Sequence, residues 1–501
     1  MGSVGHDASI GPLVKRYDLV VLGGGSAGLV ASLAAASIGA RTALVERERL
    51  GGECLNTGCI PSKSLLATAQ LAQNMRLAGR VGLEPMEPRI DFERVMGHVE
   101  EAIVAAGRHD SAEYLSRQGV EVRSGQGRFE EPGLITVDGK DLPYRAALIA
   151  TGSRPARPAV PGLESGGYLT NETVFELSEL PERLVVLGGG PTGVELAQAF
   201  RRLGSGVALV EGTSRLLPKE EAEAGELLAA QLRSEGVELH LGSPAARVEP
   251  RGDAGTLHLA NGRDDTQLVY DRLLVATGRC PTTDGLGLER VGVEVATNGA
   301  VRVDPFLRTT GDHVFAAGDV VGEPCLTHVA GHQALAAVAN ALFRARRRLD
   351  PTGMPLVVFT DPEIARAGLT EQSARAILDA DPVVLRYDYD DLDRALTQGD
   401  PRGFAKLVAT PRGRLVGATV VATAAGESFS EVARLVRERR KVADLAGGVQ
   451  PYPTLAEGPA FAAREWWRIR YLTPRKVRLM RALLAILRVV DRPRATRQAD
   501  R

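Results

Sequence analysis

A chain of 501 residues is long enough for about three domains at ~150 residues each. Its 61 basic and 62 acidic residues nearly cancel to −1, which gives no basic face for nucleic-acid phosphates. With 44% hydrophobic and 25% charged residues, a disordered, collagen-like or coiled-coil bulk is excluded, and four cysteines are too few for a secreted disulfide framework.

Residues 1–16 read as a flexible leader without the apolar core of a signal peptide, which suits a cytoplasmic protein. Leu19 to Ala40 is uncharged for 22 residues, enough to span a bilayer, but Gly23-Gly24-Gly25 interrupts it. The segment therefore reads as strand, turn and helix. Asp18 to Leu22 is the strand. Gly23, Gly25 and Gly28 form G-x-G-x-x-G around Ser26, Leu29 to Ile38 is the helix, and a second strand, Thr42 to Val45, ends at Glu46.

The same grammar recurs downstream. Leu184 to Leu187 is a strand, Gly188, Gly190 and Gly193 repeat the fingerprint, and Val194 to Leu203 reads as a helix. Strand Val207 to Val210 then ends at Glu211. First glycine and acid are 23 residues apart in both copies. The first glycine permits the turn, the second lets backbone approach a pyrophosphate, and the third packs helix on strand. The helix N-terminus favours the anion, and the acid accepts from a ribose hydroxyl. Two such sites suggest a flavin and a nicotinamide.

A further repeat, Leu148 to Pro155 against Leu274 to Pro281, carries Thr151-Gly152 and Thr277-Gly278 and marks crossovers between domains. From about residue 350 the pattern becomes α+β, with strands Phe404 to Val408 and Leu415 to Val421 and helix Phe429 to Arg440. The tail, residues 471–501, has nine basic against two acidic residues. Val477 to Val490 reads there as a basic amphipathic helix. It packs on its own domain or a partner subunit, or docks on an anionic membrane surface, or is disordered.

The segment Gly51 to Lys63 holds Cys54 and Cys59 and precedes an expected helix, Ser64 to Met75. A helix N-terminus lowers a thiol pKa, and two such thiols can form a disulfide that reopens readily. Two structural thiols are the other reading. A zinc site lacks its remaining ligands, so no metal is assigned.

These residues resemble the active-site motif of the class I pyridine nucleotide–disulfide oxidoreductases, the family of dihydrolipoamide dehydrogenase, glutathione reductase and mercuric reductase. The resemblance runs from about Tyr17 to Phe461. Gly311 to Val320, with Asp319, resembles the second flavin motif, and Leu326 to Ala330 the segment beside the isoalloxazine. Thr360 to Glu363 resembles the start of the interface domain. The resemblance implies an α/β fold with two Rossmann-like domains and a C-terminal α+β interface domain. FAD would take 17–155 and 278–350, NAD(P) 156–277, and dimerisation 351–470. It also implies a homodimer in which Cys59 is the flavin-side thiolate, Cys54 the interchange thiol, and Lys63 pairs with Glu195 beneath the flavin. Gly52, Thr151, Gly152, Gly278 and Asp319 would join the two fingerprints in holding the cofactors.

One departure matters. Dithiol-reducing members carry His-Pro-Thr-x-x-Glu near the end, and the partner subunit supplies that histidine as acid/base. Here Tyr452 stands in the histidine place, followed by Pro453, Thr454 and Glu457. A tyrosine with pKa ~10 is a poor resting base beside a histidine at ~6.5. Mercuric reductases also place tyrosine there, but usually add C-terminal delivery cysteines that this chain lacks. Cys280 and Cys325 read as small apolar fillers, with a third active thiol as the other reading of Cys325, which lies just before the flavin-side segment. Glu211 favours NADH, although Arg215 nearby could accommodate the phosphate of NADPH. The expectation is an FAD enzyme passing electrons from NAD(P)H through Cys54 and Cys59 to a small disulfide or a thiol-reactive electrophile such as a metal ion. A dihydrolipoamide dehydrogenase-like enzyme, a thiol oxidase and a membrane-docked electron carrier are the alternatives.

Overall fold

The computed structural model describes residues 16–260 and 266–490. The leader up to residue 15 and the tail end from 491 lie outside the described residues. Contacts divide the chain into two compact units, one ending at Pro351 and one beginning at Thr352.

The first unit opens with β1 (Tyr17–Leu22), α1 (Ser26–Ser37) and β2 (Thr42–Glu46), followed by α2 (Gly52–Asn56) and α3 (Cys59–Arg76). Helices α4 (Phe92–Ala106) and α5 (Ala112–Arg117) lead to β3 (Val120–Ser124), β4 (Gly127–Glu131), β5 (Leu134–Val137) and the long β6 (Lys140–Ile149). The parallel order β3-β2-β1-β6 places Leu22 beside both Val45 and Ile149, so the first fingerprint turn, its acid Glu46 and the Thr151-Gly152 crossover emerge at one sheet edge. Leu19, Val20 and Val21 are fully buried, consistent with a parallel sheet covered on both faces. Each contributes about 1.5–3 kcal/mol by leaving water.

After the short β7 (Ser153–Pro155), the pattern repeats in β8 (Arg183–Leu187), α6 (Pro191–Leu203), β9 (Gly206–Glu211), α7 (Ala222–Ser234) and β10 (Glu238–Leu241). A meander of β11 (Ala245–Arg251), β12 (Ala254–Leu259) and β13 (Gln267–Tyr270) precedes β14 (Arg272–Val275), which completes the parallel sheet β10-β9-β8-β14. The chain returns through β15 (Arg279–Pro281). Strand β16 (Val314–Ala316) then joins β6, and α8 (Thr327–Phe343) follows. The two Thr-Gly crossovers pair with each other: β15 runs antiparallel to β7, with Cys280 opposite Arg154.

The second unit is a five-stranded antiparallel sheet in the order Pro355–Val358, Glu363–Gly368, Leu415–Ala422, Phe404–Ala409, Val383–Asp388. Tyr389, Phe404 and Phe429 are among its fully buried side chains. Its helix runs Ser430–Arg437 and stops short of the expected Arg440, because Arg439 turns into the left-handed region at φ 51°. Helices Glu457–Tyr471 and Pro474–Val490 end the described chain. The last one does not pack on its own domain: Leu479, Met480, Leu483, Leu484, Ile486 and Leu487 are all exposed.

The cysteine helix also differs from expectation. α3 begins at Cys59, not at Ser64. Pro61 lies in the first helical turn, where its missing N–H is one that the helix leaves unpaired anyway.

Candidate active site

The two fingerprints have the same local construction. Gly23 and Gly188 have φ of 105° and 118°, and a Cβ on either would stand 2.3 and 2.4 Å from the carbonyl oxygens of Ala150 and Ala276. Gly28 and Gly193 lie against the carbonyls of Gly23 and Gly188, where a Cβ would fall at 1.8 and 1.9 Å. Glu46 accepts from the Gly24 N–H at 2.6 Å, and Glu211 from the Gly189 N–H at 2.7 Å. Neither α1 nor α6 has a side-chain cap or an acid in its first turn, so their first N–H groups face outward without a competing anion. A Cβ on Gly190 would meet nothing within 4 Å. Both cradles therefore suit a pyrophosphate, and the carboxylates stand where a ribose would follow.

The first cradle carries something the second does not. Gly52 is pressed against it: a Cβ there would be 2.6 Å from the Gly25 Cα. Cys54 follows on α2 and Cys59 opens α3. Both thiols are free. They share a hydrogen bond, which lowers Cys59 to about 6 and pushes Cys54 strongly upward, with burial adding to the rise at Cys54. The Thr327 hydroxyl, 3.3 Å from the Cys59 sulfur, and the Lys63 ammonium also favour the Cys59 thiolate. Hydroxyls of Ser26 and Thr327 face Cys54.

Lys63, one turn along α3, donates to Glu195 of α6 at 2.8 Å. Glu195 is buried, and its pairing partner was separated from it by 132 residues of sequence. The fingerprint helix of the second copy thus supplies the counter-charge for the cysteine helix of the first.

A second polar network joins Cys54's neighbour to the crossovers. Glu53 forms an ion pair with Arg279 and accepts from Asn171 at 3.0 Å. Arg279 also donates to the Ser153 hydroxyl at 2.8 Å and lies 3.7 Å from Asp319, which itself accepts from Ser153 at 2.7 Å. Burial first, and then the nearby Asp319 charge, raise Glu53 to about 7 against the pull of Arg279. Burial likewise pushes Cys325 up to about 12, so it is an inert thiol at neutral pH. Sequence reading missed Glu53, Ser153, Asn171 and Arg279. The one signal was that Arg279 stands in the place of Ser153, one of three differences between the two copies of the Thr-Gly repeat, and these two residues touch.

The remaining expected residues are placed as follows. Thr151 donates to the Thr282 carbonyl at 2.6 Å and ties the two crossovers together. Gly152 and Gly278 both turn at positive φ, 68° and 143°. Asp319 follows Gly318, whose N–H is held by the buried Gln333 at 2.6 Å. Tyr452 and Glu457 belong to the second unit. The Tyr452 hydroxyl donates to Asp393 at 2.9 Å, and that carboxylate raises its pKa further above the ordinary value. Glu457 is buried at the start of the Glu457–Tyr471 helix and accepts from the Thr454 N–H at 3.1 Å. Among the described residues no group of three or more His, Cys, Asp or Glu is placed to hold a metal ion.

Comparison with known proteins decides the family. The model for pyridine nucleotide-disulphide oxidoreductases matches residues 17–334, and that for their dimerisation domain matches 354–463. The chain belongs to this family. Family members depend on FAD and use NAD(P)H. Among relatives, mercuric reductase of Streptomyces lividans is 38% identical over 457 residues, 89% of this chain and 96% of that protein. Dihydrolipoyl dehydrogenase of Thermus scotoductus is 36% identical over 455 residues, 90% and 97% of the two chains. Among solved structures, LpdA from Mycobacterium tuberculosis superposes with a TM-score of 0.82 at 29% identity, covering 89% of this chain and 99% of its own. The copper(II) complex of the HOCl-induced flavoprotein disulfide reductase RclA from Escherichia coli gives 0.78 at 28%, covering 88% and 98%. This oxidoreductase family therefore spans both units.

Proposed function

We propose that this oxidoreductase is a homodimeric, NADH-preferring reductase that uses Cys54 and Cys59 to reduce a soft metal ion or a low-molecular-weight disulfide. The observation that carries the reading is the cysteine pair itself: Cys54 and Cys59 face each other where α3 begins, with the Thr327 hydroxyl 3.3 Å from the Cys59 sulfur and Lys63, paired to Glu195 at 2.8 Å, favouring the thiolate there. When bound in the first cradle, FAD supplies a two-electron relay between nicotinamide and the cysteine pair. The residues that would hold it are Gly23, Gly25, Ser26, Gly28, Glu46, Gly52, Thr151, Gly152 and Asp319, with Lys63 and Glu195 fixing the charge beneath it.

The chain's own steps follow from the pair. The Cys54 proton passes to the Cys59 sulfur, and the Cys54 thiolate attacks one sulfur of the substrate disulfide. The leaving thiolate takes the proton from Cys59. Cys59 then attacks the Cys54 sulfur of the mixed disulfide, expels the second thiolate, which is protonated by solvent, and closes the Cys54–Cys59 disulfide. With a soft divalent metal ion the two sulfurs would hold it as thiolates, the Cys54 proton passing to solvent, and the two electrons that reduce the ion would come from the nicotinamide by way of the flavin. In this scheme Cys59 is the base, which suits a chain whose Tyr452 phenol is held protonated by Asp393. The same feature weighs against efficient turnover of lipoamide, which the dihydrolipoyl dehydrogenase relative would otherwise favour.

NADH is favoured by two contacts. Glu211 stands at the ribose end of the second cradle, where a carboxylate repels an extra phosphate. Arg215 is turned onto its own loop, donating to the carbonyls of Pro218 at 2.6 Å and Glu220 at 3.2 Å. The test is oxidation of NADH and NADPH screened anaerobically against mercuric and cupric ions, glutathione disulfide and lipoamide. Cys54→Ser should abolish turnover of the active substrate and spare NADH-driven dye reduction. Undiminished substrate turnover in that variant would overturn the reading.

A further inference from the structure

We propose that the C-terminal helix Pro474–Val490 lies flat on an anionic lipid surface and attaches the enzyme peripherally. Leu479, Leu483 and Ile486 recur at i, i+4 and i+7, and Met480, Leu484 and Leu487 repeat the spacing one residue on, which builds one continuous apolar face. All six side chains are between 41% and 70% exposed, so nothing among the described residues covers that face. Arg478, Arg481 and Arg488 fall on the opposite side. No acidic residue occurs from Trp466 to Val490, while seven basic ones do. Trp467 and Tyr471, exposed on the preceding helix, are the amphipathic aromatics that settle at a headgroup boundary.

Charge complementarity selects lipid over pairing of this helix with the same helix of a second copy. Residues 471–501 carry nine basic against two acidic side chains, whereas the remainder is acidic by eight charges to reach the overall −1. An anionic surface attracts this helix alone. A second basic helix would oppose like with like. The dimerisation-domain match also ends at residue 463, so the helix is additional to the segment the family uses for pairing. Seventeen residues span about 25 Å, but no described helix is apolar enough to cross a membrane. The half-apolar, half-basic pattern places it in the interface plane, with long arginine stems reaching to the headgroups.

The experiment is flotation of the flavin-loaded full chain with vesicles of equimolar phosphatidylglycerol and phosphatidylcholine, against phosphatidylcholine alone. The full chain should float with the anionic vesicles at least tenfold more than with the neutral ones. Salt raised from about 0.1 to about 1 M, which cuts the Debye length from ~10 to ~3 Å, should weaken binding severalfold. The triple variant Arg478→Glu, Arg481→Glu, Arg488→Glu and the double variant Leu483→Glu, Leu487→Glu should each lose at least tenfold in binding, with NADH-driven reductase rate unchanged. Truncation after residue 470 should abolish flotation. A wild-type chain that ignores anionic vesicles, point variants that float like wild type, or a dimer that dissociates when the double variant is made would overturn the proposal.

Discussion

The two glycine cradles are built alike, yet only one is closed. Around Gly25 the chain returns at once: Gly52 is pressed onto the turn, and α2 and α3 follow with both cysteines. Around Gly190 a side chain would meet nothing within 4 Å. Identical backbone chemistry thus serves two needs. A cradle roofed by Gly52 and the start of α2 suits a group that stays, and an open one suits a nucleotide that must leave after each turnover. The link between them is electrostatic, since the buried Glu195 of the open copy pairs with Lys63 of the roofed copy.

Five substitutions break this comparison, from the largest effect to the smallest. Cys59→Ser should cost roughly a thousandfold or more in substrate turnover, read by steady-state rates, because the second exchange step has no sulfur to complete it. Next, Gly28→Ala and Gly193→Ala place a methyl within 2 Å of a carbonyl oxygen in equivalent turns. Overpacking of about 1–3 kcal/mol corresponds to roughly 5–150-fold. It should appear as lost flavin content in the first variant and as a raised KM for NADH, with flavin retained, in the second. If both variants lost flavin alike, the division of labour between the cradles would be wrong.

Lys63→Met removes the counter-charge of a buried carboxylate. With Lys63 itself 36% exposed, about 1–3 kcal/mol of stability is at stake, measurable by denaturant unfolding. Its sharper readout is pH. In the NADH-reduced protein Cys59 alkylation by iodoacetamide should fall as pH drops through about 6, because the thiolate is lost there. Without the Lys63 charge the midpoint should move upward. Glu211→Gln is the mildest change, raising KM for NADH about tenfold by removal of one charge-assisted hydrogen bond to ribose.

Much of the site was readable because its chemistry is local. Glycines, acid and cysteines sit at fixed short spacings, and the turns they specify leave few alternatives. The start of α3 lies five residues before the expected Ser64, because the helix takes in Pro61 in its first turn, where a missing N–H costs nothing. Glu53 and Arg279 were invisible for a different reason: 226 residues separate them, and neither lies on a periodic face. Only the pairing of the two crossover strands brings Arg279 onto Ser153 and Asp319. For the final helix, the pattern gave the element, and exposure excluded its packing on its own domain.

The central claim is that Cys54 and Cys59 cycle between disulfide and dithiol at the expense of the nicotinamide. Differential alkylation before and after anaerobic NADH addition, read by peptide mass spectrometry, tests it at single-residue resolution. The account predicts that Cys54 and Cys59 become labelled only after NADH, while labelling of Cys280 and Cys325 does not change. Equal labelling of Cys54 and Cys59 in both states of the aerobically purified, flavin-loaded enzyme would contradict it.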